Sequence, residues 1–411
     1  MARRNEPNRG AIYATALAAF LAIAGIAVVD PILPVIGEAI GVTPWQVELL
    51  FTAYIAVMAV GMIPVVLATG RFGYKKVLIA GVIAVGVAAI LASFSQNIVQ
   101  LAALRGLWGL GNSMFFACAM VLMVALANDR AWVVGLFETM LGLGFAAGPV
   151  IGGLLGQVSW RLPFAACGVM MLLAVAVAGA RLRDPAEKPA PLKVRQIGAL
   201  YRKPAFLALC AITATYNFVF FIVLGYTPLF LGLDVIPLGM AFTGWGIALA
   251  IGILVIGHRL AHRIGYVQTV GLSIAALLVC SLVFALSQSL VLSLTALVVS
   301  GFFMGLANAN LTDLALGVGS SDRRVTTGAF NVIRWGAAAP APVIAGLLAE
   351  HVSPAAPFWA GVIALAVGVA MFLATSHLMS DGMGERSLWA RWNKRADENV
   401  GDPQEVTGEA Y

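Results

Sequence analysis

Twelve stretches of this chain stay apolar for roughly twenty residues or more, the length at which a helix crosses ~30 Å of hydrocarbon. They fall at 11–36, 45–69, 77–95, 98–126, 131–157, 162–181, 205–231, 237–257, 267–287, 290–317, 325–349 and 355–378. A backbone inside lipid must satisfy its own N–H and C=O groups, which leaves only helices and closed barrels. Barrel strands would alternate apolar and polar residues, whereas these runs are unbroken. With 61% hydrophobic and 11% charged residues, the chain could not hide its apolar surface in a water-soluble fold. The expectation is an all-α membrane protein.

The twelve stretches are two copies of six. Gly148-Pro149-Val150-Ile151-Gly152-Gly153-Leu154-Leu155 returns, 193 residues later, as Ala341-Pro342-Val343-Ile344-Ala345-Gly346-Leu347-Leu348. At the same offset Gly135 and Phe137 fall on Gly328 and Phe330, and Leu101-Ala102-Ala103-Leu104 falls on Leu294-Thr295-Ala296-Leu297. Arg71-Phe72-Gly73-Tyr74 recurs 192 residues on as Arg263-Ile264-Gly265-Tyr266. This predicts two pseudo-symmetric six-helix bundles, 1–181 and 205–378, joined by a polar linker at 182–204 and followed by a tail at 379–411. In the tail, 388–395 could form a short helix with Trp and Leu on one face and basic residues on the other, suited to an anionic leaflet, or could be disordered.

Positive charge sets the expected orientation. Of 25 Lys and Arg residues, 22 lie at the termini or in the loops on their side, Arg161 alone lies in the opposite loops, and Arg105 and Arg334 lie inside spans. Both termini are therefore expected in the cytoplasm. The net charge of +6 is a topology signal, and nucleic acid binding is not expected. Cys118, Cys167, Cys210 and Cys280 sit singly in different spans, which favours packing over disulfides or a metal site. No GxSxG element, no phosphate-cradling loop and no metal-spaced cluster supports an enzyme, and the four histidines lie by loops or helix ends.

Three local patterns, with the six-plus-six layout and basic central loop, resemble the major facilitator superfamily, and specifically its twelve-helix drug/proton antiporters. Gly144, Gly148, Pro149, Gly152 and Gly153 resemble the antiporter motif of the fifth helix. Arg105-Gly106 with Gly109 and Gly111 resembles the membrane-embedded arginine motif of the fourth. Arg71, Gly73, Lys75 and Lys76 resemble the cytoplasmic-loop motif, except that its usual acidic residue is Gly70 here and His262 in the second copy. Asp30-Pro31-Ile32-Leu33-Pro34 resembles an Asp-x-x-Leu-Pro element of the first helix in such antiporters. The resemblance implies alternating access between two bundles, a proton gradient as energy source and no cofactor.

Gly144, Gly148, Gly152 and Gly156 recur every four residues and make a smooth stripe, matched by Ala337, Ala341, Ala345 and Ala349 in the second copy. Such a stripe lets another helix backbone approach closely. It is expected at the contact between the moving bundles, with Pro149 and Pro342 allowing a bend; static packing is the alternative.

A charge at the bilayer centre costs about 2.5–3.5 kcal/mol on insertion scales, so each intramembrane ionisable group needs a reason. Asp30 and Arg105 fall at similar heights, and a pair between them, direct or through water, is expected. Glu138 is replaced by Asn331 in the second copy, which suggests a specific task as a proton carrier; a protonated or hydrogen-bonded glutamate facing a neighbouring helix is the alternative. Asp30, Glu138 and Arg105 are thus the expected proton-coupling residues. Arg334, where the first copy has Leu141, must face a cavity or a carboxylate such as Glu138. Asp313 is read as a gate or cap near Arg323 and Arg324. Tyr54, Trp108, Asn112, Phe116, Tyr216, Asn217, Phe220, Trp245, Asn308, Asn310 and Arg334 are the expected substrate cavity, a greasy pocket with scattered polar groups.

The function these features favour is a proton-coupled exporter of small amphipathic compounds or drugs in a bacterial cytoplasmic membrane, acting as a monomer. Its partners would be the substrate, protons and the lipid bilayer. A proton symporter importing an organic acid or other nutrient is the alternative, favoured by Arg334.

Overall fold

A computed structural model describes residues 9–127, 129–181, 194–319 and 323–383. In chain order the helices are α1 (Arg9–Ala27), α2 (Leu33–Ile40), α3 (Pro44–Phe72), α4 (Tyr74–Ala92), α5 (Ile98–Ala125), α6 (Arg130–Val158), α7 (Arg161–Arg181), α8 (Val194–Leu200), α9 (Pro204–Leu231), α10 (Val235–Ile251), α11 (His258–Ile264), α12 (Tyr266–Leu286), α13 (Leu290–Val318), α14 (Arg323–Ala338), α15 (Ala341–His351) and α16 (Ala356–Met383). No strand occurs among the described residues. Eleven helical segments are long and apolar enough to cross a membrane. The 21-residue α7, packed on α1 and α4, makes the twelfth pass. With an even number of passes the two described ends fall on one face. Large apolar side chains such as Val60, Val99, Val158 and Val291 are each more than two-thirds exposed, as a lipid-facing belt requires and a water-soluble surface would not tolerate in bulk.

The spans depart from straight helices in three places, and each has a local cause. The first breaks after Ala27 into a 3-10 turn, Asp30–Ile32, because Pro31 has no N–H to offer the preceding turn. The eighth ends in a wider π-helical turn, Gly252–Gly257, before α11. The eleventh breaks between α14 and α15 at Pro340, a residue whose counterpart in the first copy is Ala147. At Pro149 there is no break, and α6 runs through it as one helix. In the second copy the break comes before Pro342, which sits within the first turn of α15.

The repeat is visible in the packing. In the first bundle α4 packs on α5, α3 on α5, α4 on α7, and α1 on α6 and α7; in the second, α12 packs on α13, α10 on α13, α12 on α16, and α9 on α14, α15 and α16. α1 and α9 are the central helices, buried along most of their length. The bundles meet along two seams, α6 against α10 and α3 against α14 and α15, and the internal pseudo-symmetry exchanges one seam for the other. The short turns between α3 and α4 and between α11 and α12 repeat in detail. Gly73 has φ 84° and Gly265 φ 101°, and their N–H groups donate to Thr69 and Ala261 carbonyls at 2.9 and 2.8 Å. Residues with a Cβ rarely adopt that conformation, which is why both copies keep glycine.

Candidate functional site

In the first bundle the site is built on α5. Glycines on this helix let it press into its neighbours: a methyl group at Gly111 would lie 2.6 Å from the Gly81 carbonyl oxygen, and one at Gly109 would run into the Tyr54 carbonyl. That approach carries Arg105 among aromatic rings, 4.7 Å above Tyr54, 4.9 Å from Trp108 and 6.0 Å from Phe51. Desolvated cation–π contacts of this kind contribute about 2 kcal/mol each. Arg105 is fully buried, and its one hydrogen bond runs from Nη1 to the Gly25 carbonyl oxygen at 3.3 Å. Beside it the Asn112 side-chain amide donates to the Tyr54 hydroxyl at 2.6 Å and to the Ala22 carbonyl at 3.5 Å. Trp108 fills the notch left at Gly25 and meets Phe164 edge-on at 6.2 Å.

Asp30 lies in the 3-10 turn of the same bundle, fully buried, with no hydrogen bond to either carboxyl oxygen. Arg105 is its electrostatic neighbour, and no direct ion pair joins the two side chains. The guanidinium is held at Gly25, five residues earlier on α1, by a backbone carbonyl and the aromatic cage. A second carboxyl that sequence reasoning missed stands close by. Glu48, one turn into α3, is fully buried, makes no hydrogen bond and acts electrostatically on Asp30. The signal was present, an acid inside the second apolar span, but its place near the helix start reads as a surface position.

In the second bundle Arg334 on α14 donates a short hydrogen bond to the Asn308 side-chain oxygen on α13. Tyr216 is an electrostatic neighbour of Arg334 and donates from its hydroxyl to the Met304 carbonyl at 2.8 Å. Rings continue from there: Tyr216 to Phe220 at 6.0 Å, Phe220 to Trp245 at 5.6 Å, and Trp245 to Phe145 at 6.0 Å. The last contact crosses the seam to α6. Two groups therefore emerge from the expected cavity residues, Tyr54, Trp108 and Asn112 around Arg105, and Tyr216, Phe220, Trp245 and Asn308 around Arg334. Neither includes Asn217 or Asn310, whose amides turn to carbonyls of their own helices at 3.0 and 2.7 Å. Phe116 is placed against Phe115, 5.3 Å away.

Glu138 lies on α6, and its side chain is outside the described residues, as are those of Arg323 and Arg324. Asp313 stands on α13, half-buried. Linker residues 182–193 and the tail segment 388–395 are outside the described residues. Arg71 ends α3 exposed, over the Phe72 ring at 5.4 Å, with Gly73 at the turn and Lys75 and Lys76 opening α4. Among the described residues no group of three or more His, Cys, Asp and Glu could hold a metal ion.

The glycine stripe requires a correction. Gly144, Gly148 and Gly152 do not line the contact between bundles, and Gly156 reaches it only at its edge, where a methyl group would lie 3.4 Å from Val235 Cγ1. They face α1 inside their own bundle, where methyl groups at Gly144 and Gly148 would lie 2.7 Å from the Phe20 carbonyl oxygen and 2.8 Å from Ala27 Cβ. Gly152 would meet Val28 and Pro31, and Gly156 would meet Ile32. The stripe is close packing of two helices in one bundle. The seam belongs instead to Gly142, Phe145, Pro149 and Gly153. A Cβ on Gly153 would lie 3.1 Å from the Val235 carbonyl oxygen and 3.5 Å from Gly239 Cα, and one on Gly239 would lie 2.8 Å from the Pro149 carbonyl oxygen. Gly346, the repeat equivalent of Gly153, abuts the Trp45 backbone across the other seam. A four-residue period aims one face of α6 at α1, and the neighbouring residue of each turn looks about 100° away, at α10.

Residues 15–342 match the family model described as Major Facilitator Superfamily. The chain belongs to the major facilitator superfamily. It is 35% identical over 370 residues to the multidrug efflux protein YfmO of Bacillus subtilis, covering 88% of this chain and 92% of that protein. Multidrug resistance protein 1 of Bacillus subtilis is 24% identical over 375 residues, 86% of this chain and 93% of its own. Quinolone resistance protein NorA of Staphylococcus aureus matches a shorter region, 28% identical over 169 residues, 40% of this chain and 43% of that one. Among solved structures, a bacterial homologue of the lysosomal transporter Spinster in an inward-facing, occupied conformation superposes with a TM-score of 0.73 at 14% identity, over 93% of this chain and 98% of that one. Like other major facilitator proteins, this one is a multi-pass membrane transporter of small molecules and not an enzyme.

Proposed function

We propose that this transporter is a proton-coupled exporter of small amphipathic organic compounds, working by alternating access as a monomer in a bacterial cytoplasmic membrane with both termini inside. One observation carries the reading. Asp30 is a fully buried carboxyl with no hydrogen bond and one cationic neighbour, the kind of group whose occupancy by a proton changes the relative stability of two conformations. The relatives named for multidrug efflux support the direction and the breadth of substrate. The aromatic path Tyr216, Phe220, Trp245 and Phe145, with the Asn308 amide and Arg334 near one end, offers stacking surfaces and few fixed polar partners. It suits greasy molecules with one polar end better than sugars.

Proteoliposomes with an imposed pH gradient test the reading. Addition of a transported amphipathic dye should move protons in the direction opposite to the dye, and reversing the gradient should reverse accumulation. Movement of both in the same direction would establish symport, for which the Arg334–Asn308 pair offers an anion-binding end. Dye flux indifferent to the gradient would refute proton coupling.

A further inference from the structure

We propose that Glu48 is a second proton-binding residue, a latch that closes the end of the seam away from the termini only when its carboxyl is protonated. The inference rests on the antiport reading and extends it from Asp30 to a residue on a different helix. Its first support is position. Glu48 belongs to α3 of the first bundle, yet its carboxyl lies against α9 of the second: a methyl group on Gly225 would sit 2.6 Å from Glu48 Oε2 and 3.3 Å from Oε1. The carboxyl therefore bridges the bundles, and separating them at this end would admit water to it.

Its second support is chemistry. Both Glu48 oxygens are buried and neither accepts or donates a hydrogen bond. Groups that face it are Asp30 from the 3-10 turn and Tyr226 from α9. Arg105 on α5 is engaged with the Gly25 carbonyl and the rings of Tyr54 and Trp108. Glu38 on α2, and Glu350 and His351 at the end of α15, are exposed to the surroundings and do not enter the seam. Arg105 is the electrostatic neighbour of Asp30 and not of Glu48, so Glu48 has a second carboxyl beside it and no cation of its own. Burying an ionised carboxylate with no partner is costly, so the seam with Glu48 charged is unfavourable. With the seam open the carboxylate is hydrated and stable. The sign follows: acid favours the closed seam, and alkaline conditions favour the open one. In an exporter, protons arriving from outside load Glu48 while the seam is open and allow it to shut.

The test reads conformation without transport. Spin labels at Ala39→Cys on α2 and Asp234→Cys at the start of α10, both exposed, report the width of the seam in the full-length protein, whose four native cysteines are buried. The parent should show a short distance at acid pH and a growing longer population as pH rises. Glu48→Gln, a neutral isostere, should stay short at every pH. A Glu48→Gln seam that opens with pH like the parent's, or a parent seam indifferent to pH, overturns the latch. If the latch fails while proteoliposomes still exchange protons for dye, the antiport reading stands. If the seam titrates through Glu48 but dye flux ignores the proton gradient, the antiport reading fails alone.

Discussion

Two adjacent glycines, Gly152 and Gly153, face different partners, and replacing each by alanine separates packing within a bundle from packing between bundles. At Gly152 the new methyl would meet the Val28 backbone and Pro31 Cγ, with the Val28 carbonyl carbon and Pro31 Cγ each 3.0 Å away. Neither can give, because one is backbone and the other a ring fixed in the 3-10 turn. α1 and α6 must separate, and overpacking of this kind costs about 1–3 kcal/mol. The alanine recovers about 1 kcal/mol of helix propensity, leaving a net loss of up to ~2 kcal/mol. At Gly153 the nearest atoms are the Val235 carbonyl oxygen at 3.1 Å and Gly239 Cα at 3.5 Å, so a shift of a few tenths of an ångström suffices. There the propensity gain of about 1 kcal/mol offsets the contact, and stability should match or slightly exceed the parent's. Thermal unfolding followed by tryptophan fluorescence in detergent, with dye transport measured per folded molecule, checks both. Gly152→Ala should melt earlier and transport at near the parent rate once folded. Gly153→Ala should melt like the parent and change its transport rate. Equal melting of Gly152→Ala and the parent, or an early-melting Gly153→Ala, would refute the assignment of the two faces.

Two further outcomes are expected. An outside-confined thiol reagent should label a cysteine at Ser159 or Asp234 in sealed cells and miss one at Lys188 or Arg323, and the reverse pattern would invert the topology. Asp30→Asn and Glu138→Gln each imitate a permanently protonated group, so uphill accumulation driven by a pH gradient should be lost while downhill exchange persists. Retention of pH-driven accumulation by both variants would move the coupling proton to other carboxyls, Glu48 and Asp313 first.

The span count and the duplication were legible because lipid imposes them on every residue of a helix at once. Periodicity within a span was less informative, since a helix that is apolar all round gives no preferred face. The stripe of Gly144, Gly148, Gly152 and Gly156 announces a close contact but not its partner, and α1 and α10 were equally good candidates until their positions were known. Breaks were not legible, since the sequence reading carries the first span unbroken through Pro31. Pro149 shows that proline inside a membrane helix can be absorbed, while Pro340, outside the repeated octapeptide, produced the break. The site divided along similar lines. Arg105 stood out because an intramembrane cation must be accommodated, and its aromatic cage confirms that some special accommodation was needed. Asp30 and Arg105 are electrostatic neighbours, as their matching heights suggest, but without a direct bond, because height fixes only one coordinate. Glu48 was overlooked because a position near a helix start looks solvated until a neighbouring bundle covers it.

Whether the bundles part at Gly153 can be decided by a covalent bond. A Cβ on Gly153 would lie 3.5 Å from Gly239 Cα, and one on Gly239 would lie 3.4 Å from Gly153 Cα. The two Cβ atoms of a Gly153→Cys, Gly239→Cys protein thus fall near the ~3.5–4.5 Å separation that a disulfide spans. The native cysteines are buried in single positions and should not compete. Oxidation would tie α6 to α10 in the arrangement seen here. If alternating access separates these helices at this level, the oxidised protein should bind substrate from one side only and cease to transport, and a reductant should restore the reduced protein's rate. Each single-cysteine protein, treated identically, should be unaffected, which excludes damage by the oxidant. A fully cross-linked protein that still transports at the reduced rate would mean that the α6–α10 seam stays shut throughout the cycle. The moving boundary would then have to lie elsewhere, with the seam between α3 and α14–α15 around Trp45 and Gly346 the next to be cross-linked.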